Sequence, residues 1–257
     1  MISLFHTFVY DPLYNTLIGL YDTVSFQDFG IAIILTTVIL KVILIPLSKK
    51  QIESQKKLQE LQPKIKELQK KYKENKEQQA RELMALYKKE KVNPFGGCLP
   101  IIIQLIFFIA IYRVLLNISG SDFVVNEELL YSFISNPGRV DTLFLGIVDL
   151  TKPNVILAVI TAGAQYIQMK MMMHRKEQKK TKQEKKQEKK KEVTEEEKKP
   201  NPGDFAQMMN TQMLYVFPAL TLVIGVTFGA GLILYWLTST LFMIAQQWYI
   251  MKSEKTK

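Results

Sequence analysis

Apolar residues in this chain come in blocks, not in alternation. Five runs near the length of a bilayer crossing lie at 29–47, 96–117, 153–173, 213–228 and 231–250, since a helix needs about 20 apolar residues to span the hydrocarbon. A weaker patch at 12–24 is interrupted by Asn15, Asp22 and several tyrosines. Its Leu13, Leu17, Leu20 and Val24 recur at helical spacing, and Asp11–Pro12 suit a helix start. This patch reads as an interfacial helix lying on a membrane, with a disordered tail as the alternative. Polar stretches have two textures. Over 48–91, Leu58, Leu61, Ile65, Leu68 and Tyr72 form an apolar seam at coiled-coil spacing. ENKEQ at 74–78 interrupts the seam, and Ala80, Leu83 and Tyr87 resume it. The pattern predicts two antiparallel helices joined by a short turn, with Pro63 kinking the first or restarting it. The block 174–200 has no seam, and reads as a solvated extension of the third span or as disordered chain.

Composition agrees with the pattern. The 257 residues are 47% hydrophobic yet carry a formal charge of +10, and this segregation marks an all-α polytopic membrane protein. Charge then orients the spans. Residues 1–28 hold no Lys or Arg, and 118–152 hold two, Arg139 and Lys152. Basic residues number 14 in 48–95, 13 in 170–212 and 3 in 251–257. The positive-inside rule therefore places the N-terminus outside and the C-terminus in the cytoplasm, as five spans require. On this reading 1–28 and 118–152 are extracytoplasmic, 48–95 is a cytoplasmic helical hairpin, 174–212 a basic cytoplasmic loop and 251–257 a cytoplasmic tail. The first 28 residues lack the basic start and apolar core of a secretory signal. Glutamates dilute the lysine runs and no aromatics interleave 174–200, which argues against sequence-specific nucleic-acid binding. A ribosome contact through the basic loop and Lys252, Lys255 and Lys257 stays open.

Inside the first span stands Lys41, in ILTTVILKVILIPL. A lysine at mid-membrane costs about 2.5–3.5 kcal/mol on insertion scales. Its stem reaches only about 6 Å, and seven helical residues rise about 10 Å. The pattern thus favours a water-filled groove, open to the cytoplasm, with Lys41 on its wall. Gln104 lies at similar depth in the second span. Gln165 and Gln168, three apart, share a face of the third. The fifth carries Thr238, Ser239 and Thr240 at its middle and Gln246–Gln247 near its inner end. Buried amides in bundles are usually interhelical glue; three helices bringing them to one charged level suggests a shared groove. The fourth span, 213–228, is short, about 24 Å against a hydrocarbon core of about 30 Å, which favours local thinning of the bilayer. Nothing resembles an enzyme: there is no nucleophile–histidine arrangement, HExxH or Walker loop. The single cysteine, Cys98, and the distant His6 and His174 offer neither a disulfide nor a metal site. No cofactor is expected.

The stretch KLQELQPKIKELQKKYKENKEQQARELMALYKKEKVNPFGGCLPIIIQLIFFIAIYRVL resembles the hairpin and second span of YidC-type membrane protein insertases. FLGIVDLTKPN, YIQMKM and FGAGLILYWLTSTLFMIAQQWYI continue the likeness, and ILTTVILKVILIPL fits that family's first conserved span. The resemblance covers nearly all of the chain except 174–205 and is closest to the five-span bacterial form, without the large extracytoplasmic domain of some members. It implies five transmembrane helices around a hydrophilic groove in the bacterial cytoplasmic (inner) membrane. It also implies that nascent membrane proteins are inserted into the lipid bilayer, alone or beside the Sec translocon. Lys41 stands where the family usually has an arginine that attracts acidic substrate tails. Gln168 matches its third-span glutamine, and Tyr235–Trp236 its aromatic pair facing the substrate path. Gln165 and Thr238 are added from depth alone. Ile106 and Gly229 depart from the proline-containing versions of their motifs. A lysine is a compact, strongly hydrated charge, so the groove is expected to depend more on hydration and pH than an arginine version. A small channel or solute transporter with a coiled-coil hairpin is the main rival, although no internal span repeat is visible; a structural scaffold would leave Lys41 unexplained.

Overall fold

The computed structural model describes residues 2–93, 99–174 and 202–255. Cys98 and the basic stretch 175–201 lie outside the described residues. In chain order the helices are α1 (Ile2–Phe5), α2 (Asp11–Thr23), α3 (Phe29–Ile43), α4 (Ile45–Lys71), α5 (Lys76–Lys89), α6 (Leu99–Gly120), α7 (Val155–His174), α8 (Pro202–Thr227) and α9 (Ala230–Lys255). A π-helical turn, His6–Tyr10, joins α1 to α2, and a two-stranded hairpin, β1 (Leu143–Phe144) and β2 (Val148–Asp149), precedes α7. The chain divides into two compact units, one of residues 1–45, 101–168 and 217–257, the other of 46–100 and 169–216.

In the first unit α3 packs along α9 and against α2. The helix expected at 12–24 is present as α2, but Leu13 and Leu17 do not lie on an open surface. With Tyr14 and Ile18 they are sealed in the core, each aliphatic side chain contributing about 1.5–3 kcal/mol by leaving water. The polar residues that interrupt the apolar pattern are the clamps. Asn15 Nδ2 donates to the Leu129 carbonyl at 2.9 Å, and its Oδ1 accepts from the Tyr131 amide at 2.6 Å. The Tyr14 and Tyr21 hydroxyls accept from the amides of Asn126 and Asp141 at 3.0 and 2.8 Å. A disordered tail is thereby excluded. Burial pushes the Tyr10 phenol up to about 12, so it stays neutral.

Asp28 starts α3: its Oδ1 accepts from the Ile31 amide at 2.9 Å, while its Oδ2 accepts from the Leu145 amide at 2.6 Å. That second bond ties the hairpin to the start of α3. Gly30 is required beside it, because the Phe144 ring fills the space a Cβ would occupy. The strands pair antiparallel, Leu143 with Asp149 and Phe144 with Val148. Leu145 (φ +53°) and Gly146 (φ +69°) turn the chain between them. Phe26 (φ +53°) and Gln27 (φ +60°) are also left-handed, a conformation costing non-glycine residues about 1–2 kcal/mol each. Beyond β2, the Thr151 hydroxyl and Lys152 hold the Asp149 carboxyl below its ordinary range. The Leu150 and Lys152 carbonyls accept from Gly231 and Ala230 at 2.9 Å each, satisfying the first turn of α9. Asn154 Oδ1 accepts from the Leu157 amide at 3.0 Å and caps α7.

The first apolar run is not one helix to Leu47. α3 stops at Ile43, Leu44 leaves helical geometry (φ −84°, ψ 0°), and α4 restarts at Ile45. Pro46 explains the break: it has no N–H to donate, and its ring would collide with the Val42 carbonyl. Ile102–Gly120 is the one described helical stretch long and apolar enough to cross a membrane unbroken; Val155–Met171 and Tyr215–Thr227 are shorter apolar helices. Gly225 lets α8 approach α7 closely, with Ala158 where a Cβ would stand.

In the second unit α4 and α5 are connected by Tyr72–Asn75 and meet through Leu61, Ile65 and Val92, flanked by Leu58, Leu83, Leu86 and Tyr87. Asn75 caps α5 by accepting from the Gln78 amide at 3.0 Å. α4 runs through Pro63 to Lys71, so the restart offered for that residue does not occur. One further expectation fails in α5. Ala80 is exposed, and Gln79 takes the inward position, donating to the Gln69 carbonyl at 2.9 Å.

Candidate functional site

The break at Leu44 moves Lys41. Expected at mid-span, it stands in the last turn of α3, where exposed carbonyl ends favour a cation. Its Nζ donates to Gln104 Oε1 at 3.0 Å. The same oxygen accepts from the Ser239 hydroxyl at 2.9 Å, and Gln104 Nε2 donates to the Tyr235 hydroxyl at 3.3 Å. One amide of α6 thus gathers α3 and two positions of α9 spaced four apart, on one helix face. Tyr235 and Ser239 are both buried. Among the described residues no carboxylate pairs with Lys41. A carbonyl oxygen orients the ammonium and leaves its charge uncancelled.

Three of the seven expected site residues, Lys41, Gln104 and Tyr235, therefore meet in one knot. The others do not join it. Gln168 Nε2 donates to the Met243 sulfur of α9 at 3.4 Å. Gln165 meets the Thr221 hydroxyl of α8, which also donates to the Phe217 carbonyl at 2.9 Å. So Gln165 and Gln168 are both buried on α7 yet serve different neighbours. Thr238 donates to the Leu234 carbonyl of its own helix at 2.8 Å and offers no free proton to a neighbour. Trp236 is half-buried, edge-on to Phe108 with ring centroids 5.3 Å apart. Two contributors carried little signal. Ser239 is one of three adjacent hydroxyl residues, and only the helix phase selects it. Thr221 sits in an apolar run, where a threonine normally bonds its own helix. Among the described residues no group of three His, Cys, Asp or Glu could hold a metal ion.

Comparison with known proteins places the chain. The model of the 60Kd inner membrane protein family matches residues 20–257. A protein named Membrane protein insertase YidC from Fusobacterium nucleatum is 32% identical over 248 residues, covering 96% of this chain and 98% of its own length. A protein of the same name from Histophilus somni is 32% identical over 252 residues, 97% of this chain but 38% of its own length. One from Streptomyces avermitilis is 28% identical over 244 residues, 89% and 52% respectively. The chain spans nearly all of the first relative and well under two thirds of the other two. With a single family covering all but its first 19 residues, and a full-length relative at 32% identity, the chain belongs to the 60Kd inner membrane protein family, that of the YidC insertases.

Proposed function

We infer that this chain is a membrane protein insertase, which moves apolar segments of newly made proteins from water into the bilayer. The observation that carries the mechanism is the Lys41 ammonium, held 3.0 Å from a neutral amide oxygen with no carboxylate among the described residues paired to it. An acidic tail near that charge gains Coulomb energy, about 4 kcal/mol at 4 Å and an effective dielectric of 20. Transfer of the attached apolar segment then releases about 25 cal/mol for each Å² removed from water, which drives the process. The knot's part is to lower the barrier for the polar tail.

In this reading five spans surround a hydrophilic groove open to the cytoplasm, with Lys41, Gln104 and Tyr235 on its wall. Gln165, Gln168, Trp236 and Thr238 lie along the substrate path. The N-terminus is outside, and α4 and α5 form a cytoplasmic hairpin. The Leu61–Ile65–Val92 seam and the charged remainder of both helices support the hairpin assignment. The basic loop and tail are candidate ribosome contacts, and the Sec translocon a candidate partner. No cofactor enters.

Proteoliposomes test this directly. Lys41→Ala is expected to lower insertion of acidic-tailed substrates at least tenfold and to spare neutral-tailed ones, while Lys41→Arg retains both. Equal insertion of acidic tails by the wild type and Lys41→Ala overturns the mechanism. Ion leakage without insertion would select the channel reading.

A further inference from the structure

The turn at the hairpin tip breaks a rule of turn chemistry. Two successive left-handed residues call for Asn, Asp or Gly, whose small or self-bonding side chains tolerate that backbone. The first position here is Leu145, at φ +53°. The described residues do not bury the leucine, 61% of which is exposed. Ile147, just past the turn, is 83% exposed. Two residues before Asp28, whose carboxylate holds the Leu145 amide, stands Phe26: left-handed at φ +53° and 94% exposed. Three large apolar side chains are thus presented outward, two of them on strained backbone. Residues 142–148 carry no charge; Asp141 and Asp149 flank them.

The surroundings say what covers this tip. Asp28 joins it to the first turn of α3 at 2.6 Å, and the Leu150 and Lys152 carbonyls join the following segment to the first turn of α9 at 2.9 Å. Asn154 caps α7 eight residues beyond the turn. Three helices start within a few residues of the hairpin, and in the membrane-embedded reading that puts it at the depth where helices enter the bilayer. Its apolar surface continues into Val155 and Ile156, which open α7 and are 59% and 73% exposed. A second protein would need polar groups to fix its register, whereas an acyl-chain boundary needs only apolar side chains at the right depth.

We propose that Phe26, Leu145 and Ile147 form an apolar wedge inserted into the headgroup–acyl boundary of the leaflet at which α3, α7 and α9 begin. The occupant of this surface is phospholipid. The inference rests on the membrane-embedded reading of the chain and not on insertase activity.

The test is depth measurement on the full chain in vesicles of phosphatidylethanolamine and phosphatidylglycerol. In a Cys98→Ala background, Ile147→Cys, Ile156→Cys and Glu128→Cys are each labelled with an environment-sensitive dye. Expected at position 147 is blue-shifted emission, at least threefold protected from aqueous iodide relative to position 128 and quenched by nitroxides high on the acyl chain. Iodide access at 147 equal to that at 128, with 156 still quenched by lipid, overturns the wedge alone. Iodide access at all three positions overturns the membrane reading with it. Protection at 147 that appears only when another protein is added assigns the surface to that protein and also refutes the lipid proposal. As a second variant, Leu145→Asn relieves the turn; the label at position 147 is then expected to shift toward water while thermal stability in detergent is kept or raised. Unchanged depth with Leu145→Asn would show that Leu145 has no part in the wedge.

Discussion

Lys41 and Lys64 are the same side chain in two electrical settings. Lys64 lies on the α4–α5 pair with its Nζ 2.6 Å from Glu90 Oε1, more than half exposed to water. Solvent and a full negative charge cancel it. Lys41 meets an amide oxygen at 3.0 Å, backed by a buried tyrosine and serine. A dipole fixes where its ammonium sits and leaves the charge available to something else. Many lysines therefore say little about function here, and one on the apolar side says a great deal. The neighbours decide which is which.

The largest effect should come from removing the shared acceptor. Gln104→Leu leaves the Lys41 ammonium and the Ser239 hydroxyl without their oxygen and the Tyr235 hydroxyl without its donor. About 2–3 kcal/mol of destabilisation follows, since unsatisfied buried groups lose their full desolvation penalty. Thermal unfolding in detergent measures it, and a change near zero would show that the knot is incidental. The matching deletion in the other unit is Leu61→Ala, which empties the centre of the α4–α5 seam. About 2 kcal/mol is expected, at the low end for a leucine because that cluster is small. It should appear as lost amide protection in α4 and α5 while insertion is reduced far less than by Gln104→Leu. Ser239→Ala comes next, at about 1 kcal/mol for one neutral hydrogen bond, with Lys41 still tied to Gln104. If Ser239→Ala matched Gln104→Leu, the amide would not be the centre of the knot.

The same contrast explains what the sequence disclosed. Apolar length alone located α6, α7 and α9, because hydrophobic blocks of that size have few other uses. Lys41 and Gln104 were legible as anomalies within such blocks. The helix end was misplaced: composition continues to Leu47, while Pro46 stops the helix at Ile43 through a steric effect on the turn before it. Asn15, Tyr14 and Tyr21 looked like interruptions of a weak helix, because their partners are backbone amides more than a hundred residues away. Thr221 was silent for a related reason. A hydroxyl that can bond its own helix gives no sign that it also meets Gln165.

The smallest effect, and the sharpest check on the contrast, is Glu90→Gln. The Lys64 hydrogen bond and charge hold the Glu90 carboxyl below its ordinary range. A carboxyl depressed in the folded state stabilises that state above its unfolded value, and the contribution disappears as pH falls through the folded one. At neutral pH the wild type should therefore protect α5 amides slightly more than Glu90→Gln. The difference should close below the ordinary carboxylate range, and also in 1 M salt, where screening acts within about 3 Å. Comparing the two proteins at each pH removes the intrinsic pH dependence of exchange. Insertion should not respond to Glu90→Gln at any of these conditions, because the Lys64 charge is already neutralised by water. A salt-resistant difference would mean that the α4–α5 charges are sheltered much as Lys41 is, and the distinction between the two lysines would fail.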